Sequence, residues 1–205
     1  MKKRRLVSGE EIVLASASPR RKELLDRSGI AYIADPADAD ETIQAAAPEK
    51  AVLELSRRKA EAGLKKHREA VVIGADTIVA LDGRILGKPR SEEEAVRMLA
   101  SLSGRSHEVF TGVAILWNLK DGRKGYEGFF ERTRVEMFEN SGDEILRYVR
   151  TGEPFDKAGA YGIQGRGTLL VRSIDGNYDN VVGLPLARLV KRLEELFVFM
   201  EAADE

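Results

Sequence analysis

Apolar and polar positions alternate along this chain in short blocks, and the blocks switch period often enough to predict an α/β arrangement. Ile12 to Ala15 and Val71-Val72-Ile73 are short apolar runs, largely β-branched, that read as buried strands. After the first, Ser18 is placed as an N-cap and Pro19 at the first helical position, where its missing N–H costs nothing. That helix runs through Arg27 with Leu24 and Leu25 on its apolar edge and Ser28-Gly29-Ile30 as its stop. A second helix spans Pro48 to about Lys66, with Val52, Leu55 and Ala62 facing inward and Lys59 on the same stripe. Ser91 to Leu102 carries a capping box of Ser91 and Glu94, an acidic first turn, and a buried stripe of Ala95, Met98, Leu99 and Leu102. Glu108 to Leu119 and Tyr126 to Phe138 read as two long strands of a hairpin, followed by a short helix capped at Ser141 with Ile145, Tyr148 and Val149 turned inward. Thr168 to Ile174 and Asn177 to Val182 bracket Asp175-Gly176 as another hairpin. Pro185 opens a last helix with the stripe Leu186, Leu189, Val190, Leu193 and Leu196, and the tail after Phe199 is expected to fray.

Four stretches carry chemistry. In Val71 to Arg90, Gly74-Ala75 is expected to turn the chain out of the sheet and leave Asp76 at the strand's carboxyl end, where open α/β sheets place their ligands. Ile78 to Leu81 and Arg84 to Leu86 flank Asp82-Gly83, a pair suited to a tight hairpin, and Lys88-Pro89 follows. One carboxylate and one ammonium thus mark the two ends of a small β unit. In Ser16 to Arg21 a strand turns through small residues into a helix start, which exposes backbone N–H groups at the positive end of the helix dipole. Arg20 and Arg21 there are either solvated or face an anion. Lys59, on an inward stripe, must snorkel out or meet a negative partner. Tyr32 to Ala47 is a polar loop with Asp35, Asp38, Asp40 and Glu41. In Glu153 to Leu186 the glycines at 159, 162, 165 and 167 are too irregular for a dinucleotide fingerprint and suggest backbone that approaches a ligand closely. Gln164 among them is either a loop residue or a reader of a base edge, since a carboxamide both donates and accepts.

Composition narrows the class. A chain of 205 residues is long enough for one domain with a real core, here taken as 1–205 with residues 1–10 as an extension and 200–205 as a frayed tail. Thirty-three basic against 34 acidic residues give a net charge of −1, which argues against a non-specific nucleic-acid binder. The absence of cysteine removes disulfides, thiolate nucleophiles and Cys-ligated zinc, and two histidines are too few for a His-rich metal site. No apolar run reaches the ~18 residues of a membrane span, and the basic start lacks the apolar core of a signal peptide, so a cytoplasmic location is expected.

LASASPRRKELL, GADTIV with GKPR, FTGVAI, DKAGAYGIQG and NVVGLP occur in this order, and together they closely resemble the Maf family of nucleoside triphosphate pyrophosphatases from Ile12 to Val190. The resemblance implies an α/β fold similar to the inosine triphosphate pyrophosphatases, with a mixed, elongated, twisted sheet flanked by helices and two lobes with a central cleft. It implies hydrolysis of a nucleoside triphosphate to the monophosphate and pyrophosphate with a divalent metal, Mg²⁺ or alternatively Mn²⁺. The GAYGIQG form with SPRR and ADT resembles the branch acting on dTTP and UTP. By position, Asp76 matches the family's proton acceptor, and Arg20, Thr77 and Gln164 match positions tied to substrate choice. Ser16, Arg21, Glu41, Lys59 and Lys88 match positions lining the triphosphate site, with Glu41 and Asp76 as metal ligands. A homodimer is implied, with no stable nucleic-acid partner and no membrane. The competing readings are a nucleotide-binding regulator of septum formation and a purine-directed pyrophosphatase acting on 7-methyl-GTP or an ITP-like substrate.

Overall fold

The computed structural model describes residues 3–43, 45 and 47–201. In chain order these form β1 (Arg4–Leu6), β2 (Glu11–Leu14), α1 (Pro19–Asp26), β3 (Ile33–Ala34), α2 (Pro48–Lys66), β4 (Ala70–Leu81), β5 (Arg84–Leu86), α3 (Glu92–Leu102), β6 (Ser106–Asn118), β7 (Lys124–Met137), α4 (Gly142–Val149), β8 (Val171–Asp175), α5 (Tyr178–Val182), α6 (Leu186–Leu196) and β9 (Phe199–Glu201). Three 3₁₀ turns, Glu153–Asp156, Ala158–Ala160 and Gly165–Leu170, lie between α4 and β8. The fold is α/β. Its mixed sheet has the strand order β3-β2-β4-β6-β7-β8 with β5 added to β4, and β1 pairs separately with β9. No helix among the described residues is long and apolar enough to cross a membrane.

The chain divides into two compact units. The first takes Met1–Asp76, Gly112–Phe130 and Gly183–Glu205; the second takes Thr77–Thr111 and Glu131–Val182. β4, β6 and β7 supply residues to both.

In the first unit β2 runs parallel to β3 and to β4, with Glu11 opposite Ala70 and Leu14 opposite Ile73. Parallel strands covered on both faces need continuous apolar runs, and Ile12 to Ala15 and Val71 to Ile73 are all buried. α2 packs on them through small residues: Ala15, Ala60, Ala70 and Ala114 are buried in one cluster with Val13 and Val72. Glycine makes the approach closer still. A Cβ at Gly74 of β4 would fall 2.2 Å from the carbonyl oxygen of Ser56 and 2.6 Å from the backbone nitrogen of Ala60. One at Gly112 of β6 would fall 2.3 Å from the carbonyl oxygen of Val52. The expectation that Gly74-Ala75 turns the chain out of the sheet is therefore corrected. β4 continues unbroken through Asp76 to Leu81, and Gly74 is there to admit the backbone of a helix.

In the second unit α3 and α4 bury Ala95, Leu99, Leu102, Ile145, Tyr148 and Val149 against Val79, Val109, Val135 and Met137 of the sheet. β4 and β5 form the expected hairpin, with Val79 opposite Leu86 and Leu81 opposite Arg84. Asp82 and Gly83 have φ of 50° and 75°, the paired left-handed residues of a turn whose twist matches that of the strands. Ser91 caps α3 by accepting from Glu94 N–H, while the Glu94 carboxylate accepts from Arg90 N–H, one residue before the box position. At Ser141 the box is complete.

Two expectations near the C-terminus are corrected. Asn177 to Val182 is not a strand: Asn177 Oδ1 accepts the N–H of Asn180 at 2.8 Å, which caps α5, and β8 pairs with β7 instead of with this segment. Residues 168–170 likewise belong to a 3₁₀ turn that precedes β8. The frayed tail is corrected over 200–201, which with Phe199 pair with Arg4–Leu6 as an antiparallel ribbon; the remainder, 202–205, lies outside the described residues.

A Cβ that meets backbone cannot be relieved by a rotamer change. Gly74→Ala is expected to cost about 1–3 kcal/mol of stability in urea denaturation. Gly142→Ala, with open space around its Cβ, should stay within about 0.5 kcal/mol of the parent.

Candidate functional site

The first unit assembles a charged cluster from three elements. β2 ends at Leu14, and the buried Ser16 hydroxyl accepts the N–H of Ser18 at 3.2 Å. Ser18 in turn caps α1 by accepting from Arg21 N–H, as the sequence predicts, with Pro19 at the helix start. The Arg21 guanidinium folds back, its Nη1 donating to Ser16 Oγ at 3.3 Å and its Nε to the carbonyl of Gly183 at 2.8 Å. No acidic side chain occupies the first turn of α1. Burial pulls the pKa of Arg21 down from its usual value, with Arg20 adding to the effect and the Asp76 and Glu41 carboxylates opposing it. Ser16, Arg20, Arg21, Glu41 and Asp76 thus share one electrostatic neighbourhood.

Lys59 completes it. Ser56, Lys59, Ala60 and Gly63 recur at helical spacing on one face of α2, and Gly74 and Asp76 lie two residues apart on one face of β4. Seating Ser56 and Ala60 on Gly74 therefore delivers Lys59 to Asp76. Lys59 Nζ donates to Asp76 Oδ1 at 2.5 Å and lies 2.8 Å from Glu41 Oε1. The alternative left by the sequence is resolved in favour of a negative partner, and that partner is Asp76. The side chains of Lys59 and Asp76 are 13% and 16% exposed against 61% for Glu41, so the first contact is the stronger one and the second is an easily exchanged rim pair. Among the described residues no group of three or more His, Asp or Glu side chains is placed to hold a metal. The donor set that remains, Asp76 and Glu41 converging on one cation, suits an ion that takes one or two protein carboxylates and completes its shell from phosphate oxygens and water.

The other three sequence candidates belong to the second unit. Thr77 bonds Thr111 Oγ1 at 2.9 Å; since the Thr111 hydroxyl donates to the carbonyl of Asn180 at 2.9 Å, the Thr77 hydroxyl is the donor of the pair. Lys88 is exposed and directly follows Gly87, whose carbonyl accepts the N–H of Gly159 at 3.0 Å. Gly159 also packs on Val79, where a Cβ would fall 2.9 Å from Cγ1. Thr77 and Val79 share one face of β4, so Thr77, Lys88 and the glycine-rich segment leading to the exposed Gln164 are gathered around the same hairpin.

The sequence reading missed the buried partners of these groups. Asn180 is fully buried; its Nδ2 donates to Thr133 Oγ1 at 2.9 Å and to the carbonyl of Val109 at 3.1 Å, while its Oδ1 meets no hydrogen-bond partner among the described residues. His107, also buried, lies 2.6 Å through Nε2 from the hydroxyl of Tyr161. NVVGLP, GAYGIQG and FTGVAI contain Asn180, Tyr161 and Thr111, but His107 has no local signal, since its partner Tyr161 lies 54 positions away in the chain.

Comparison with known proteins places these features in a class. A family profile described as Maf-like protein matches residues 11–196. A dTTP/UTP pyrophosphatase of Agathobacter rectalis is 48% identical over 201 residues, covering 92% of this chain and 98% of that protein. Another of that name from Carboxydothermus hydrogenoformans is 49% identical over 185 residues, covering 90% and 98%. Among solved structures, a HAM1 protein from Coxiella burnetii aligns with a TM-score of 0.46 at 18% identity, covering 91% of this chain and 99% of that one. The Staphylococcus aureus Ham1 protein aligns at 0.43 and 19% identity, covering 64% and 73%. The chain belongs to the Maf-like protein family.

Burial depresses the pKa of His107 from 6.5 to about 4. The unfolded chain takes up a proton near pH 6.5 that folded His107 refuses until about pH 4. Its contribution to stability is therefore fully present above pH 6.5, declines as pH falls through that window, and levels off below about 4. The total loss is roughly 3 kcal/mol. His107→Phe should flatten this slope in urea denaturation series between pH 4 and 7.

Proposed function

We propose that this protein hydrolyses dTTP and UTP to the nucleoside monophosphate and pyrophosphate. The observation that carries the reading is Lys59 Nζ seated on Asp76 at 2.5 Å and on Glu41 at 2.8 Å, in one electrostatic neighbourhood with Arg20 and Arg21. Relatives nearly half identical over nine-tenths of the chain carry the name dTTP/UTP pyrophosphatase, which supports the choice of substrate.

The chemistry follows from the side chains. A triphosphate brings acceptor oxygens to three cations that the fold has already gathered, and phosphoryl transfer needs charge neutralisation and an oriented water more than covalent help. Arg20 and Arg21, at the positive end of α1, and the amides near Ser16 to Ser18 take the phosphate tail. Lys59 moves its hydrogen bonds from the exposed Glu41 to phosphate oxygen, while Asp76 keeps Oδ1 on Lys59 and presents Oδ2 to water. The water oxygen bonds to the α-phosphorus, its proton passes to Asp76, and the α–β anhydride bond breaks with pyrophosphate as the leaving group. Lys88 adds a further cation for the phosphates. Mg²⁺ or Mn²⁺, held by Asp76 and Glu41, would neutralise charge on the phosphate oxygens. Gln164, with Thr77, reads the pyrimidine. A carboxamide matches the carbonyl and N–H of uracil or thymine, whereas cytosine exchanges donor for acceptor and leaves buried groups unpaired.

Pyrophosphate release from dTTP and UTP with Mg²⁺ tests the reading. Asp76→Asn keeps the shape of the side chain and should lower turnover by about 10²- to 10⁴-fold with an unchanged circular dichroism spectrum. Near-full activity in that variant would remove Asp76 from the proton-accepting role. Nucleotide binding by the wild type with no pyrophosphate released would leave a sensor instead of an enzyme.

A further inference from the structure

The loop that presents Gln164 is closed at its base by side chains that the reading above does not use. Tyr148 of α4, 4% exposed, accepts the N–H of Gly162 on its hydroxyl at 3.1 Å. Glu153 Oε1 accepts the N–H of Arg166 at 3.1 Å. These amides lie two residues to either side of Gln164, so the loop is pinned symmetrically about the carboxamide. Glycines let it close. A Cβ at Gly167 would fall 2.1 Å from the carbonyl of Gly162 and 2.8 Å from the Tyr148 hydroxyl, and one at Gly165, where φ is +64°, would fall 2.9 Å from Glu153 Oε1. Ile163, 8% exposed, anchors the near side, and Lys157 Nζ donates to the carbonyl of Glu153 at 2.5 Å, which ties the start of the segment to its middle. Burial, with the Glu153 charge beside it and the Gly162 N–H opposing, pushes the Tyr148 phenol pKa up, so its hydroxyl stays neutral through the working pH range.

We infer that Tyr148 and Glu153 are positioning residues for base selection: by holding the amides of Gly162 and Arg166 they fix the backbone from which the Gln164 carboxamide meets the pyrimidine edge. An exposed glutamine in a segment with glycines at 162, 165 and 167 would otherwise sample many orientations and select weakly, because discrimination by hydrogen bonding requires donor and acceptor to be aimed before the base arrives. The inference rests on the pyrimidine triphosphate reading. It adds that specificity is set beneath the loop as well as on it.

The test compares Tyr148→Phe, Glu153→Ala and Glu153→Gln in the wild-type background and again with Gln164→Ala, measuring pyrophosphate release from dTTP and dCTP. Hydrogen exchange of the 162–166 amides is followed in parallel. Tyr148→Phe and Glu153→Ala should each raise KM for dTTP and lower the dTTP-over-dCTP ratio of kcat/KM by about tenfold, with kcat within about threefold, the size of one lost hydrogen bond. Exchange at Gly162 and Arg166 should quicken correspondingly. Glu153→Gln, whose amide oxygen still accepts, should restore both readouts. In the Gln164→Ala background neither pin variant should lower the ratio further. An unchanged ratio despite faster exchange would overturn the inference, as would a full tenfold loss that persists without Gln164. If Tyr148→Phe does not fold, the two Glu153 variants decide alone. Absence of pyrophosphate release by the wild type would instead overturn the pyrophosphatase reading, and that result is visible before any variant is made.

Discussion

The seating of α2 on two glycines is the constraint on which the rest depends. Gly74 and Gly112 leave no side chain where the carbonyl oxygens of Ser56 and Val52 arrive, and Gly63, Ala60 and Ala15 thin the same interface. A helix held that close to a sheet has little freedom to slide, because any shift drives backbone into backbone. The reach of a lysine is long, yet Lys59 meets Asp76 at 2.5 Å because its helix face and the strand face of Asp76 are set by this packing. Side-chain placement here is a consequence of residues that have no side chain.

Electrostatics then does what packing alone cannot. Three cations, Arg20, Arg21 and Lys59, share a neighbourhood with two carboxylates, Glu41 and Asp76. Desolvation works against the charge on Arg21, and those carboxylates work for it. The exposed Glu41 contact is weak and exchangeable, while the shielded Asp76 contact persists. In the proposed reaction a polyanion would have these cations to bind while the Lys59–Asp76 pair stays intact. The two basic residues in the first turn of α1, unfavourable against the helix dipole on their own, become sensible once an anion is expected there.

Much of this was legible in the sequence, and the failures share a cause. Caps and turns were readable because their physics is local. Ser18, Ser91 and Ser141 each accept from the predicted turn of helix, and Asp82-Gly83 makes its hairpin. Lys59 on an apolar stripe left open whether it snorkels out or meets a carboxylate, and the stripe does not say which carboxylate, since Asp76 lies 17 residues on and the match depends on the packing of α2. Gly74 was misread as a turn because a glycine needed for close approach looks the same in sequence as one needed for φ. Asn177 to Val182 has strand-like content, yet one side-chain cap decides for a helix. The buried partners of Thr77 and Tyr161 were invisible for the same reason: nothing local announces a contact between distant segments.

The most direct test is a crystal structure with Mg²⁺ and an α,β-imido analogue of dTTP, which has the shape of the proposed substrate and cannot be cleaved at that bond. The account predicts phosphate oxygens within hydrogen-bonding distance of Lys59 Nζ and the Arg20 and Arg21 guanidinium groups, with Asp76 still on Lys59 and its free oxygen facing the α-phosphorus. A triphosphate bound elsewhere on the protein, with Lys59, Asp76 and Glu41 undisturbed, would contradict it.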